Sequence, residues 1–517
     1  MSLERPGNQN LFARISITLF FTLVSFAVMG YHPGLEDDGI YLAAVKARLN
    51  PALYARNSEF FKLQLQATAF DSAMAWFVRI THIPVPWAEL LWQLAAIFAI
   101  LWATHLIARR LFREAAAQWA AVAMVGAMLT LPVAGTALFL VDQHLHPRTI
   151  ATALILLAVA QVMEGRGKAA VGLLALAGLM HPLMAALGIS FCVFLAAVLK
   201  ARVYGWVEGL WPGERAISGR NKAVKVGAGA GGGFAAAAAP LAWVFEGGNP
   251  GWREALNAHS YYFIYKWAWY EWLGAVAPLA LFCVLWRWAG RRGERDLARF
   301  GLAVFAYGVF QQVVALVVLP PLGWLRVTPL QPMRYLHLVY FAMALVGGGL
   351  LGRFVLKKSV WRWAVCLAVM NTGMLACQET QFPASRHLEL PGLAPCNDWI
   401  AAFDWIRQNT PEDAYFALDP HYLDAPGEDY HGFRALAERS SLADAVKDAA
   451  VVTQIPSLGE EWLRQVEAQQ DWDRFQIGDF ERLKREFGVD WVVVSRSSQA
   501  GLDCRWRDRT VAVCRVP

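Results

Sequence analysis

The sequence predicts an α-helical polytopic membrane bundle of about eleven transmembrane helices, followed by a small C-terminal α/β extracytoplasmic domain. Three observations support this fold class. The chain of 517 residues is 57% hydrophobic and only 17% charged, whereas ordinary soluble domains are about 25% charged. Its apolar residues are concentrated before about residue 378. Its basic residues lie in short clusters between apolar runs, which is typical of membrane topology signals.

About eleven apolar runs approach the length of about 20 residues that crosses the hydrocarbon core of a bilayer. They comprise residues 12–31, 87–108, 117–141, 148–163, 169–181, 183–199, 226–245, 272–289, 299–319, 334–351 and 360–377. We predict two short helices over 169–199 because basic clusters lie at both ends and Pro182 disfavours helical geometry at His181. The first run lacks a small-residue cleavage site before Tyr31, so it is predicted to be a retained anchor.

Basic clusters predict the direction of the chain, because short cytoplasmic loops are enriched in Lys and Arg. They precede the first run and follow every second run: Arg5 and Arg14; Arg109, Arg110 and Arg113; Arg166 and Lys168; Lys200, Arg202, Arg215, Arg220, Lys222 and Lys225; Arg287, Arg291, Arg292 and Arg295; Arg353, Lys357, Lys358 and Arg362. The N-terminus is therefore predicted to be cytoplasmic and the C-terminal domain to lie on the opposite side. The Lys and Arg residues lie in short clusters between apolar runs and not along one face of a domain. The net charge of +6 therefore does not indicate a nucleic-acid partner.

The sequence divides into two domains. Residues 1–377 form the predicted membrane domain, with a long first outer loop at 32–86, and residues 378–517 form the predicted soluble outer domain. In the first outer loop, Ile40 to Leu49 and Glu59 to Phe77 are amphipathic and are predicted to lie at the membrane surface. The outer domain has the following predicted elements: helices at 399–408, 458–467 and 480–487, strands at 415–418 and 491–494, and a hairpin at 503–516 that turns near Asp508.

The outer domain contains cysteines on both arms of the predicted hairpin. Cys504 and Cys514 are candidates for a disulfide, because an exported domain is in an oxidising compartment. Cys396 is the rival partner, and free thiols are the alternative. The sequence contains no CxxC spacing, which would have indicated a structural zinc site.

Acidic residues open the first outer loop. Glu36, Asp37 and Asp38 follow the first span directly, and three consecutive carboxylates at a membrane surface are costly unless they are solvated or used in chemistry. We therefore interpret them as candidate catalytic residues.

The second outer loop is short and rich in ionisable groups. Asp142, His144, His146 and Arg148 follow the third predicted span, and titratable groups at membrane depth are functional-site candidates. A solvated loop with polar residues placed by chance is the alternative interpretation.

Two further residues are predicted to face the same side. His181 lies at the tip of the 169–199 hairpin, and Arg334 precedes the tenth predicted span. An arginine at that depth suits a phosphate, because its planar guanidinium offers paired donors. A satisfied structural histidine and a snorkelling arginine are the respective alternatives.

In these features the chain resembles the GT-C superfamily of membrane glycosyltransferases of bacterial type, which use polyprenyl-phosphate-linked sugars as donors. The resemblance covers the architecture of nearly the whole chain, including the acidic start of the first outer loop. It implies that Asp37 or Asp38 deprotonates the acceptor, that Asp142, His144 and His146 assist or hold a divalent metal, and that Arg334 binds the donor phosphate. A cell inner membrane location, with the outer domain in the periplasm, is also implied.

The chain departs from the family in two respects. The acidic triplet is not the spaced acidic pair of some members, and the WWD motif of oligosaccharyltransferases is absent, so transfer to protein asparagine is not predicted. The resemblance implies an acceptor that is a glycan, a lipid or a protein. Two other function classes remain open: a transporter or flippase for a lipid-linked substrate, and a noncatalytic scaffold whose outer domain binds a partner.

Overall fold

The computed structural model of the protein describes residues 10–200, 248–319, 325–427, 429, 431–495 and 501–517. The helices of its membrane domain are α1 Leu11–Met29, α2 Asp38–Leu49, α3 Glu59–Leu65, α4 Phe70–Thr81, α5 Val85–Leu111, α6 Ala115–Ala127, α7 Pro147–Met163, α8 Gly167–Met180, α9 Pro182–Leu199, α10 Pro250–Ala258, α11 Trp269–Arg291, α12 Arg295–Val318, α13 Leu336–Leu351 and α14 Val360–Gln381. The predicted span at 226–245 lies outside the described residues, as do the basic residues Arg5, Arg202, Arg215, Arg220, Lys222 and Lys225.

Seven helical segments in the described part of the chain are long and apolar enough to cross a membrane. They are Leu11–Met29, Val85–Leu111, Pro182–Leu199, Trp269–Arg291, Arg295–Val317, Arg326–Leu356 and Val360–Gln381, and the shorter apolar helices are Ala115–Ala127, Pro147–Met163 and Gly167–Met180. A membrane bundle is thus supported, whereas the predicted number of about eleven spans is not confirmed. Helix α14 gives the clearest indication of a lipid environment. Its exposed residues Val360, Trp361 and Val369 are apolar, and lipid would solvate them better than water.

The third predicted span, at 117–141, is wrong in its second half. Helix α6 ends at Ala127, and the chain continues into an antiparallel pair of short strands, β1 Pro132–Val133 and β2 Leu138–Phe139. Pro132 lacks the N–H that a helix needs, and Gly135 has a φ of +65°, which is open to glycine at low cost. The C-terminal half of this predicted span is therefore a strand pair with a turn and not a helix.

The segment 169–199 forms two helices, as the sequence predicted. Helix α8 ends at Met180, His181 has extended backbone dihedrals of −153° and 93°, and Pro182 begins α9. The first outer loop rests on this hairpin, because the backbone N–H of Ala69 donates to the carbonyl of Leu179 at 2.7 Å. The amphipathic stretch predicted from Glu59 to Phe77 is interrupted, however, and its residues belong to α3 and α4.

The outer domain has a five-stranded mixed sheet with helices packed against it. Its elements are α15 Asp398–Asn409, β3 Tyr415–Ala417, α16 Phe433–Ala437, β4 Ser440–Ser441, α17 Lys447–Gln454, α18 Gly459–Ala468, α19 Ile477–Phe487, β5 Trp491–Ser495, β6 Asp503–Arg507 and β7 Val511–Arg515. The strand order is β4-β3-β5-β7-β6, with β3 parallel to β4 and β5 and with β7 antiparallel to β5 and β6. The predicted α/β pattern is confirmed. Cys504 and Cys514 form a disulfide, which is one of the alternatives that the sequence left open.

The outer domain docks directly on the first outer loop. Tyr31 bridges Leu388 in parallel fashion, and Leu35 bridges His431 in antiparallel fashion. Backbones also meet at Gly39, where a Cβ atom would lie 3.1 Å from the Cα of Gly432. These contacts place α16 and α17 over the start of α2.

Candidate functional site

The Asp37 carboxylate lies where the membrane domain meets the outer domain. Its Oδ2 is 3.4 Å from Nε2 of His146, and its Oδ1 accepts a hydrogen bond from Nζ of Lys447 at 3.1 Å. Lys447 also donates to Oε2 of Glu36 at 2.5 Å. The Asp37 side chain is 35% exposed, so it stays accessible to a substrate while it contacts both domains.

A tight turn separates the roles of the three acidic residues. Gly34 has a φ of +79°, and its N–H donates to Oδ2 of Asp38 at 2.6 Å. This bond directs Asp38 into the interior, where it is 2% exposed and interacts with Glu89 of helix α5. Burial raises the pKa of the Asp38 carboxyl, and neighbouring His144 and the Gly34 N–H only partly oppose this shift. Asp37 faces outward, whereas Asp38 stabilises the turn.

Charge holds Asp37 in its ionised form. Burial of the Asp37 carboxyl acts to raise its pKa, but the Lys447 ammonium and then His146 and Arg148 hold that pKa well below its usual range. At neutral pH the site therefore presents a carboxylate that is a ready hydrogen-bond acceptor.

The second outer loop is fixed by a buried ion pair. Nη2 of Arg148 donates to both carboxylate oxygens of Asp142, at 2.7 and 2.8 Å. His146 caps helix α7, because its Nδ1 accepts the backbone N–H of Arg148 at 2.8 Å. That contact leaves Nε2 of His146 directed at Asp37. The loop therefore positions one imidazole and one guanidinium beside the carboxylate.

Two more predicted histidines surround His146. The ring centroid of His144 lies 6.0 Å from that of His146, and the ring centroid of His181 lies 6.1 Å from it. Both nitrogens of His144 are buried without a hydrogen-bond partner among the residues that the structure describes. The rings of Tyr41 and His146 pack edge to face with centroids 4.8 Å apart. The site is thus a compact cluster of imidazoles.

Arg334 adds a third cation to the site, after Lys447 and Arg148. It lies in the 3-10 turn Pro332–Tyr335 and interacts electrostatically with Arg148 and Asp37. A cavity beside it is lined by Tyr261, Tyr262, Thr136, Gln331 and Arg334. Within the described residues, Nε of Arg334 is buried without a partner, so this guanidinium has donors to offer to an anion.

Every predicted site residue lies in or beside this cluster, but their roles stay predictions. Two further groups were not anticipated. Lys447 comes from the outer domain, and no sequence pattern links it to the first outer loop, because the link is the docking of the two domains. Glu89 had a usable signal, since a carboxylate within an apolar span is rare and commonly functional; it is 1% exposed.

The set Asp142, His144 and His146 does not fit the divalent metal that the family resemblance implied. Arg148 uses both oxygens of Asp142, and a guanidinium in that place repels a cation. Nδ1 of His146 is occupied by a backbone N–H, and its Nε2 faces Asp37. We therefore derive no catalytic step through a metal at these residues.

Comparisons with known proteins give limited further information. A sequence-family model described as "Domain of unknown function (DUF6798)" matches residues 397–467, which lie in the outer domain. Among solved structures, the chain is similar to the archaeal oligosaccharyltransferase AglB from Archaeoglobus fulgidus, in complex with an inhibitory peptide and a dolichol-phosphate. That match has a TM-score of 0.37 and 12% sequence identity over 94% of this chain and 70% of that chain, and a likeness this distant carries no argument here. No curated protein matches the chain at a significant level.

Proposed function

We propose that the protein is a membrane glycosyltransferase that moves a sugar from a polyprenyl-phosphate donor to a glycan, lipid or protein acceptor by an inverting displacement. In this proposal residues 1–377 are the catalytic membrane domain of an inner-membrane protein, the N-terminus is cytoplasmic, and residues 378–517 are periplasmic. The observation that carries the proposal is an ionised carboxylate, Asp37, facing a cluster of three cations: Lys447, Arg148 and Arg334.

The arrangement suits the chemistry of a phosphate-linked sugar. The acceptor hydroxyl oxygen attacks the anomeric carbon as the bond from that carbon to the phosphate oxygen breaks. The hydroxyl proton passes to Asp37, and the electron pair of the broken bond stays on polyprenyl phosphate. Arg334 stabilises the charge that develops on the departing phosphate.

Asp37 is the proposed base for reasons of access and charge. Asp38 is buried and accepts the Gly34 N–H, and Glu36 is 46% exposed and contacts Lys447 without contacting the imidazoles of the second outer loop. Asp37 alone among the three bridges that loop and the outer domain. The other two acidic residues are therefore proposed to position the turn and Lys447.

A transporter or a scaffold accounts less well for this placement of charge. A transporter is expected to hold its ionisable residues near the middle of the bilayer, whereas Asp37 and His146 lie in connections between helices and Lys447 lies in the predicted outer domain. A scaffold does not require an accessible carboxylate among buried cations. Neither alternative predicts transfer of a sugar, so measuring that transfer separates them from the proposed enzyme.

The direct test measures the glycosylated acceptor and the unused donor in cells. Deleting the gene is expected to remove one sugar from an envelope glycan, lipid or protein and to raise the amount of the matching polyprenyl-phosphate-linked sugar in lipid extracts. Both changes should reverse on expression of the wild-type chain. A flippase predicts accumulation of the donor on the cytoplasmic face only, which a membrane-impermeant modifying reagent distinguishes, and a scaffold predicts restoration by an Asp37→Asn variant.

Lys447 is expected to set the acidic limit of activity. Since the ammonium of Lys447 lowers the pKa of Asp37, the wild-type transfer rate should stay level as the pH falls toward the usual range of a carboxyl. In Lys447→Met that pKa rises, so the protonated and inactive form of Asp37 appears at higher pH, and the acidic limb of kcat/KM should move upward. Lys447→Arg keeps the charge and should retain the wild-type limb; identical profiles for Lys447→Met and wild type would contradict this role.

A further inference from the structure

A second cluster of ionisable residues lies apart from Asp37, at the junction of three chain segments. Nδ1 of His32, in the first outer loop, and Nε2 of His431, in the outer domain, each lie 3.0 Å from the same atom, Oε2 of Glu389. Glu389 belongs to the connection that follows the last span. The three ligand atoms lie within 4.8 Å of one another. The proposed glycosyl transfer does not use these residues.

Backbone pairing holds the three residues in place. The N–H of Tyr31 donates to the carbonyl of His387 at 3.0 Å, and the N–H of Glu389 donates to the carbonyl of Tyr31 at 2.9 Å, so His32 and Glu389 lie side by side. The bridge between Leu35 and His431 brings in the third residue. A site whose ligands are fixed by backbone hydrogen bonds loses little entropy when it binds an ion.

Hydrogen bonding within the cluster is incomplete. If each imidazole donates to Glu389, then Nε2 of His32 and Nδ1 of His431 are left buried without a partner among the described residues. Asp429 is 1% exposed, interacts electrostatically with both imidazoles, and has no hydrogen-bond partner within the described residues for either carboxylate oxygen. The side chain of Ser385 and the backbone N–H of Ala384 lie near this carboxylate, but neither forms a hydrogen bond of normal distance and angle with it. Unpaired buried groups of this kind are costly.

A divalent cation would compensate for both the unpaired ring nitrogens and the unpaired Asp429 carboxylate. It balances the charges of the two carboxylates, Glu389 and Asp429, and it turns the facing ring nitrogens into ligands. Asp429 is then a carboxylate of the type that accepts the outer ring N–H of a metal-bound histidine. A tetrahedral zinc ion with bonds of about 2.0–2.1 Å needs ligand atoms about 3.4 Å apart. The two 3.0 Å separations from Glu389 therefore need to open slightly, and the separation of the two ring nitrogens, which lies within 4.8 Å, needs to adjust to the same value.

We propose that His32, Glu389 and His431 bind one zinc-class transition-metal ion that fastens the outer domain to the first outer loop. Two imidazoles favour such an ion over magnesium or calcium, which prefer oxygen ligands. His32 and Glu389 are 357 residues apart in sequence, so the ion joins distant segments. His431 precedes Gly432, which touches Gly39 of α2, and the ion would therefore help to hold Lys447 over Asp37.

The test measures the metal content of the full-length protein, purified in detergent through a tag without histidine and dialysed against zinc and then against a weak chelator. Wild type is expected to retain about one zinc ion per chain. Glu389→Gln and His431→Gln should each lower this content at least tenfold. His421→Gln, which changes an exposed histidine of the same domain, is the matched control and should keep the wild-type content.

A second measurement distinguishes loss of the ion from misfolding. His431→Cys replaces one zinc ligand by another, and this variant loaded with cobalt should show a sulfur-to-cobalt charge-transfer band that wild type lacks. Absence of that band, or equal zinc content in wild type and Glu389→Gln, would overturn the proposal. The readouts do not involve sugar transfer, so their result is independent of the proposed activity.

Discussion

Asp37→Asn is expected to lower the rate of sugar transfer by about 10²–10⁴-fold, the usual contribution of a positioned general base. The amide keeps the size of the side chain but cannot accept the proton that leaves the acceptor hydroxyl. Its contacts with Lys447 and His146 weaken because the negative charge that both groups face is lost. The measurement is the release of polyprenyl phosphate from a lipid-linked sugar by purified protein in detergent or nanodiscs.

Two neighbouring substitutions serve as controls. Glu36→Gln removes the charge from the shorter contact of Lys447, 2.5 Å against 3.1 Å for Asp37, but it removes no proposed proton acceptor, so at most a small loss of rate is expected. Asp38→Asn leaves an oxygen that can accept the Gly34 N–H. Because burial already raises the pKa of Asp38, the neutral amide resembles the protonated carboxyl, and the substitution should change the site less than Asp37→Asn does. Rates for Asp37→Asn equal to those for Glu36→Gln, in protein that is equally well folded, would refute the assignment of the base.

Much of this site was predictable from the sequence because charge in an apolar context has few explanations. Asp37, His146 and Arg334 each follow or precede an apolar run at a connection predicted to lie on the outer side. Connections on one side of a bundle share a surface, so the sequence predicted that these residues face the same side. The structure brings them into one cluster.

The parts that were not predicted depend on tertiary contacts or on local chain geometry. The third span was extended too far because residues 128–141 remain apolar, whereas Pro132 and Gly135 determine the turn. Lys447 reaches Asp37 because α17 docks on the first outer loop, and hydropathy patterns do not predict such docking. The pairing of His32 with Glu389 likewise depends on a two-residue backbone bridge between segments 357 positions apart.

Arg434→Met is expected to lower the free energy of unfolding by about 3–5 kcal/mol, the usual cost of leaving a buried charge without its partner. Both Nη atoms of Arg434 donate to the Asp448 carboxylate, at 2.7 and 2.8 Å, and the two side chains are 8% and 0% exposed. Asp448 follows Lys447 directly, so loss of the pair should also loosen the lysine at Asp37. Urea unfolding of the full-length protein, followed by tryptophan fluorescence, gives the stability change.

The chain offers a matched exposed pair. Arg464 also donates two hydrogen bonds to one carboxylate, that of Glu461, at 3.0 and 2.7 Å, but these side chains are 56% and 47% exposed. Arg464→Met should therefore cost no more than about 1 kcal/mol. The double variant Arg434→Met with Asp448→Leu should recover most of the loss, because an apolar pair needs no compensating charge. Equal losses in the free energy of unfolding for the two arginine substitutions would show that burial does not set the strength of the Arg434–Asp448 pair. The proposed effect of that pair on Lys447 would then also be contradicted.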